Sequence, residues 1–341
     1  MTSLGPLLRR SETWLIVLIA LLTIAMTVAN PSFISVERVF DILNSSALMG
    51  IFALGVLLVL ISGGIDVSFP AIAIAAMFIT TTVLNAIGFT GDVLVAFLIA
   101  AVIGLALGAI NAFVVVRFAM PTLIATLATA SAIRGLMVTL MGATIISILP
   151  IGMTAFGRLQ LLESRSDSGE RFGLSPSVLI LAATAIAAWL LLNHTLLGRK
   201  IFAVGGDASA AERAGINVRG VRVFVFCTSG ALAGIAGIVH ATNTGTANPL
   251  DLGSTDLVVI AAVVLGGARI TGGHGTVMGT LLGVLLINVI NAALISLRIP
   301  SYWQTLVVGA LLVLGVSITA LSARSPLRKK SVPQRQEELV V

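Results

Sequence analysis

The chain has 341 residues, of which 57% are hydrophobic and only 10% charged, with a mean hydropathy of +1.10. So few charged groups cannot cover the surface of a water-soluble fold, so the composition excludes an ordinary globular domain and requires lipid. The formal charge of +6 does not point to nucleic acid, because the basic residues are dispersed over loops and the tail instead of forming one stripe.

A bilayer core takes about 20 apolar residues per helix. Ten stretches qualify as spans: 14–29, 42–62, 69–87, 92–116, 121–141, 177–194, 221–243, 256–268, 275–296 and 302–322. The first follows Arg9 and Arg10 in a short N-terminal segment, 1–13. It is longer than the apolar region of a signal peptide and lacks a small-residue cleavage site, so it reads as an uncleaved span. After the second span comes Gly63-Gly64-Ile65-Asp66-Val67-Ser68. A carboxylate there is costly in lipid and must face protein or water. Asp66 therefore reads either as a pathway or gating group or as a cap, with Ser68, for the third helix at the membrane surface. Arg134, within the fifth span, is expected to find a structural ion pair or a helix-end contact.

Between 142 and 176 the chain turns polar, and 157–175 has no periodicity, which predicts an outer loop. A second polar segment, 195–220, carries a short helix legible from local chemistry. Asp207 is suited to cap it, Ala208 to Ala214 is a compact helical run, and Gly215 supplies a left-handed stop. A helix of two turns does not hold itself together in water, so it must pack against something. The span at 256–268 is short and ends in glycine, which predicts a broken or tilted helix. The glycines after it, Gly266, Gly267, Gly272 and Gly273, lack the strand and helix context of a phosphate cradle and suit tight helix contact or a sharp turn.

Fixing the N-terminus inside places fourteen of the 20 Lys and Arg on the cytoplasmic side and five outside, with Arg134 in a span. The positive-inside rule thus favours both termini cytoplasmic, with 323–341 a basic cytoplasmic tail that touches anionic lipid. Cys227 is the only cysteine, and His194, His240 and His274 lie far apart with no carboxylate at metal-ligand spacing, so neither a disulfide nor a metal site is expected. No Walker, nucleophile-elbow or zinc-protease motif occurs, so no catalytic residue is assigned and the chain does not hydrolyse ATP alone. Asn44, Asn111, Thr126, Asn288 and Asn291 are uncharged groups suited to weak contacts with a polyhydroxylated solute, or equally to bonding a neighbouring helix.

Three blocks in this order carry a resemblance. Gly63 to Ser68 matches a GIDLS signature; Gly198 to Ile216, GRKIFAVGGDASAAERAGI, matches a cytoplasmic GR…A-x-GGN…A…GI loop; and Asp256-Leu257, Ile260 to Gly267, Gly272-Gly273 and Gly275-Thr276 match an EL-x-x-IAAVVLGG…GG-x-GT block. Over about 30–320 the chain resembles the permease family of bacterial ABC importers for ribose and related monosaccharides. The resemblance implies an all-α integral membrane protein of about ten transmembrane helices, an importer permease fold at the bacterial inner membrane. The single transmembrane domain would run from 14 to 322. It implies docking of an ATPase subunit on the loop bearing Gly198, Arg199, Gly205, Gly206, Asp207, Ala211, Glu212 and Gly215. Gly63, Gly64, Asp66, Ser68, Asn111, Thr126, Asn288 and Asn291 become the pathway or gating candidates, and Asp256, Gly266, Gly267, Gly272 and Gly273 the third block.

The implied partners are the ATPase, which would bind ATP and Mg, a second permease chain, identical or paralogous, a soluble solute-binding protein outside, and lipid. No cofactor is expected in this chain. Phe69-Pro70 stands where the family usually has glycine, Asp207 where it has Asn, and Val258 where it often has a carboxylate, departures that touch substrate identity. An ion-coupled carrier, with Asp66 as its ion ligand and Asp256 at a span end, is the alternative.

Overall fold

The computed structural model describes residues 11–142, 144–165, 171–253 and 255–300, with positions 303, 306, 307, 309, 310 and 313. Arg9, Arg10, the basic tail and most of the expected tenth span at 302–322 lie outside the described residues. In chain order the helices are α1 Ser11–Ala29, α2 Val36–Ile61, α3 Phe69–Ala86, α4 Val93–Phe118, α5 Thr122–Met141 and α6 Ile151–Arg158. A short hairpin, β1 Glu163–Arg165 and β2 Arg171–Gly173, precedes α7 Ser177–His194, α8 Leu196–Gly206, α9 Ala208–Arg213, α10 Val218–Thr244, α11 Thr255–Leu265 and α12 Val277–Ser296. Among the described residues eight of these helices, α1 to α5, α7, α10 and α12, are long and apolar enough to cross a membrane.

The fold is helical as expected, and the hairpin is a local feature of the polar 142–176 segment. Its strands pair antiparallel, Glu163 with Gly173 and Arg165 with Arg171, and at its base the Leu161 amide donates to the Leu174 carbonyl and the Leu174 amide to the Leu162 carbonyl. Three residues per strand are too few to show alternation, so the sequence reads as unstructured there. The short eighth span does break as expected. α11 has 11 residues, about 16 Å at 1.5 Å per residue, which reaches roughly half of a 30 Å core.

Helix α10 is the hub, packed on α2, α3 and α4. It crosses α4 backbone to backbone. A Cβ at Gly104 would stand 2.9 Å from the Gly230 carbonyl carbon and 3.0 Å from the Gly234 nitrogen, so both helices need glycine at the crossing. Gly230→Leu should lower both yield and melting temperature, because overpacking a backbone contact costs about 1–3 kcal/mol. Unchanged melting of the purified variant would show that the crossing tolerates separation.

The two ends of the bundle differ. The hairpin is tied to the N-terminal half of α2, where Asn44 donates from Nδ2 to the Gly173 carbonyl at 3.0 Å and accepts from the Ser175 amide at 2.9 Å. The pair α8 and α9 abuts the opposite, C-terminal end of α2, as described next.

Candidate functional site

The segment between α7 and α10 folds back onto the bundle instead of hanging from it. Thr195 caps α8 by accepting from the Gly198 amide at 3.0 Å, and Gly198 is buried against the last turn of α7. Asp207 caps α9 by accepting from the Ala210 amide at 3.0 Å. Gly215 ends α9 at φ +81°, and the Ile216 amide reaches back to the Ala211 carbonyl. The two-turn helix and its cap thus form as the sequence predicts, while α8, an added helix before it, is revealed only by the structure. Ile201, Val204, Gly205 and Ala211 are buried on the bundle side. Arg199, Lys200, Gly206, Asp207, Glu212 and Arg213 are exposed on the other, a charged face on short helices.

Three glycine pairs, separated by well over a hundred residues at the first step, meet beneath this helix pair. Gly63-Gly64 follows α2, Gly205-Gly206 closes α8, and Gly272-Gly273 lies between α11 and α12. The Gly273 amide donates to the Ile61 carbonyl at 2.9 Å, fastening the 266–276 loop to the end of α2. A Cβ at Gly205 would overlap that same Ile61 carbonyl and stand 2.7 Å from the Gly273 nitrogen. A Cβ at Gly272, where φ is +91°, would stand 2.7 Å from both the Gly205 oxygen and the Gly63 Cα. All three motifs singled out by the sequence therefore converge on one backbone junction, whose close approaches at Gly205 and Gly272 only glycine permits.

Directly beyond the junction the chain carries Asp66. It is 1% exposed and its carboxylate is hydrogen-bonded on both oxygens. Oδ1 accepts from the Ser68 amide at 2.8 Å and the Ser68 hydroxyl at 2.6 Å, and Oδ2 accepts from Ser229 of α10 at 3.1 Å. The network runs on through Asn111 of α4, which donates to Ser68 at 2.6 Å and accepts from Thr129 of α5. Thr122 and Thr126 of α5 hold the same loop, accepting from the amides of Ile65 and Val67. A buried charge is tolerated only when its lone pairs are filled, and here donors from its own loop and α10 fill them, so the 62–68 loop is locked to three helices. Ser229, Thr122 and Thr129 were not singled out by sequence, since a hydroxyl within a span usually bonds its own helix.

Of the remaining pathway candidates, Asn288 and Asn291 lie elsewhere, toward the hairpin end. A cavity of about 470 Å³ there is walled by Asn44, Ser45, Gln160, His240, Asn243 and Asn288, over an apolar floor of Leu48 and Met49. A second, of about 450 Å³, shares Asn44, Ser45 and Asn288 with it and adds Arg38, Asp41 and Asn291, the last with its Oδ1 buried without a hydrogen-bond partner. His240 is held by Asp251 at 2.9 Å, and Asn248 donates to the same carboxylate. Gln160, Asn243 and this His–Asp pair also escaped the sequence, because they come from a loop and a helix end with no shared pattern. Asp256 sits in the first turn of α11, away from the junction, with Oδ1 accepting from the Leu257 amide. Gly266 packs against α12, where a Cβ would stand 2.5 Å from the Gly279 oxygen, and Gly267 turns the chain at φ +93°. The ion pair expected for Arg134 is absent among the described residues; its Nε and Nη2 are buried without hydrogen-bond partners because no carboxylate of the neighbouring spans reaches them. Among the described residues no cluster of His, Cys, Asp or Glu is placed to hold a metal.

Residues 38–316 match the protein family described as branched-chain amino acid transport system / permease component. The chain belongs to that family. Among its relatives, the ribose import permease protein RbsC of Escherichia coli is 32% identical over 305 residues, covering 89% of this chain and 92% of that one. The probable ABC transporter permease protein YphD of Escherichia coli is 35% identical over 321 residues, covering 94% and 92%. The autoinducer 2 import system permease protein LsrC of Yersinia enterocolitica is 31% identical over 310 residues, covering 91% and 82%. No solved structure matches the chain. The permease is thus the multi-pass inner-membrane subunit of an ABC importer, which sets aside the ion-coupled carrier. The geometry of Asp66 agrees, since both oxygens of the carboxylate are already occupied by protein donors.

Proposed function

We propose that the permease conducts a neutral, polyhydroxylated solute of monosaccharide size, entering through the cavity at the hairpin end and released toward the α8–α9 end. The supporting observation is the lining of the larger cavity: carboxamides and hydroxyls over an apolar floor, with His240 its only titratable group. Side-chain amides both donate and accept, which suits sugar hydroxyls, and Leu48 and Met49 offer a surface to ring carbons. A zwitterionic amino acid, as the family's description would suggest, calls for fixed opposite charges on its ammonium and carboxylate; the 470 Å³ cavity supplies none, and Arg38 and Asp41 beside the second cavity face each other at 4.0 Å. The names of the ribose and autoinducer 2 relatives point the same way.

In this reading both termini are cytoplasmic, a solute-binding protein delivers the solute at the hairpin, and a second permease chain completes the path. An ATPase subunit, which binds ATP and Mg, grips the exposed face of α8 and α9. Its movement reaches α2 and the Asp66 loop through the glycine junction, which has no side chains to absorb it. The test is uptake of labelled D-ribose by cells making the permease with its cognate ATPase and binding protein, challenged with unlabelled pentoses, hexoses and leucine. Competition by sugars and not by leucine is expected. Asn288 donates from Nδ2 to the Ser46 hydroxyl at 3.0 Å and has its Oδ1 left for the solute. Asn288→Leu should cut uptake by about tenfold, the loss of roughly one hydrogen bond to the solute, with the protein still inserted. Competition by leucine alone would replace the sugar reading with an amino-acid one.

A further inference from the structure

On an exposed side of the α4–α10 pair, away from the solute cavities, a groove of about 510 Å³ opens next to their glycine contacts. Its walls are apolar. Ala109, Ala112, Phe113 and Val116 form one face of α4 at i, i+3, i+4 and i+7, and Val223 faces them from α10. At the open end stand Arg117, in the last turn of α4, and Arg219, in the first turn of α10. Both are exposed, neither is in an ion pair among the described residues, and no carboxylate lines the groove. Arg219 also sits at the positive end of a 27-residue helix, which adds to the local positive potential. Two unpaired guanidiniums over an apolar slot between membrane helices match an amphiphile with an anionic head and a hydrocarbon tail.

We infer that this groove is a binding site for an anionic phospholipid, the phosphodiester held by Arg117 and Arg219 and an acyl chain laid along the Ala109–Val116 face of α4. Guanidinium is the side chain suited to phosphate, because its fork of donors matches two phosphate oxygens, and basic pockets between helices recognise such heads. A free anion would use the arginines but leave the apolar walls bare. A zwitterionic lipid would fill the walls but bring its own cation to the arginines. The site lies at the entry to α10, four residues past Gly215, so an occupied site would anchor the outgoing end of the α8–α9 segment to the membrane surface. It does not depend on which solute is carried.

The test uses the purified full chain in detergent, titrated with dioleoyl phosphatidylglycerol or dioleoyl phosphatidylcholine and read by native mass spectrometry. Phosphatidylglycerol should bind about tenfold more tightly than phosphatidylcholine, and the double variant Arg117→Gln with Arg219→Gln should lose that preference while melting normally. Should the variant fold poorly, phosphatidylglycerol bearing a photoreactive acyl chain, applied to the unmodified protein, should label residues 109–116 and 219–223. Equal retention of the two lipids, or labelling elsewhere, overturns the inference. Displacement of phosphatidylglycerol by millimolar inorganic phosphate would make it a free-anion site instead. A double variant that keeps its lipid but loses the ATPase subunit would assign the arginines to a protein contact.

Discussion

Gly205→Val should lower ATP-driven solute uptake by at least about tenfold while leaving the permease inserted in the membrane. The added Cβ would overlap the Ile61 carbonyl and crowd the Gly273 amide, and both of these are backbone groups that no rotamer change can move. Overpacking costs about 1–3 kcal/mol, and about 1.4 kcal/mol is tenfold in an equilibrium, so the junction must open or α8 must lift from α2. Either change cuts the route from the exposed face of α8 and α9 to the Asp66 loop. Gly206→Ala is the matched control, because a Cβ there meets nothing within 4 Å and the residue is exposed. It should transport normally. Gly215→Val falls between the two: space is open, but φ of +81° strains any residue with a side chain, a cost of about 1–2 kcal/mol. Uptake and ATP hydrolysis measured together in proteoliposomes separate a broken linkage, in which hydrolysis continues without transport, from simple misfolding. Normal coupled uptake by Gly205→Val would show that the three glycine pairs are close without being mechanically joined.

Asp66→Leu should destabilise the protein by about 2–5 kcal/mol, seen as a lower melting temperature and reduced yield. The change removes an acceptor that serves three donors and strands the Ser68 amide, the Ser68 hydroxyl and Ser229 in a dry site, each unsatisfied group costing about 1–3 kcal/mol, partly offset by rotation of the hydroxyls. Asp66→Asn keeps an acceptor for Ser68 and turns its amide toward the Ser229 hydroxyl, which rotates to accept. It should cost less than about 2 kcal/mol and retain most uptake. That pair of outcomes identifies the carboxylate as a latch for the 62–68 loop. An Asp66→Asn protein that melts normally yet transports nothing would instead mean that the charge itself takes part in each cycle.

Hydropathy made the long helices legible because a bilayer imposes one length on every span, and the errors are confined to ends where charge meets the span. Helix α2 begins at Val36, six residues before the apolar stretch, because Ser35 caps it and Glu37, Arg38 and Asp41 belong to its first turns. Helix α10 likewise starts at Val218, ahead of Arg219 and Arg222. The cap at Asp207 and the stop at Gly215 were legible because each acts within four residues of itself. The glycine junction was not. Each pair announces a turn or a tight contact locally, but that Gly63, Gly205 and Gly272 meet is decided by how α2, α8 and the α11–α12 loop pack, and a backbone contact leaves no pattern in the side chains. The Asp66 network shows the same division. The carboxylate stood out as a costly group and Asn111 as an amide within a span, whereas Ser229 of α10 and Thr129 of α5, which complete the network, look like ordinary small polar residues.

The central claim is that the exposed face of α8 and α9 receives an ATPase whose work drives this permease. The direct measurement is ATP-dependent uptake of D-ribose in proteoliposomes holding the permease, the cognate ATPase and the binding protein, with the ATPase omitted in one arm. In a second arm Arg199→Ala and Glu212→Ala are combined, two exposed positions that leave the buried side of the helix pair intact. The account predicts that uptake requires the ATPase and that the face variant loses both ATPase binding and transport. Uptake that persists without the ATPase and follows a proton or sodium gradient would contradict it, as would an ATPase that binds and drives the face variant as well as the unmodified chain.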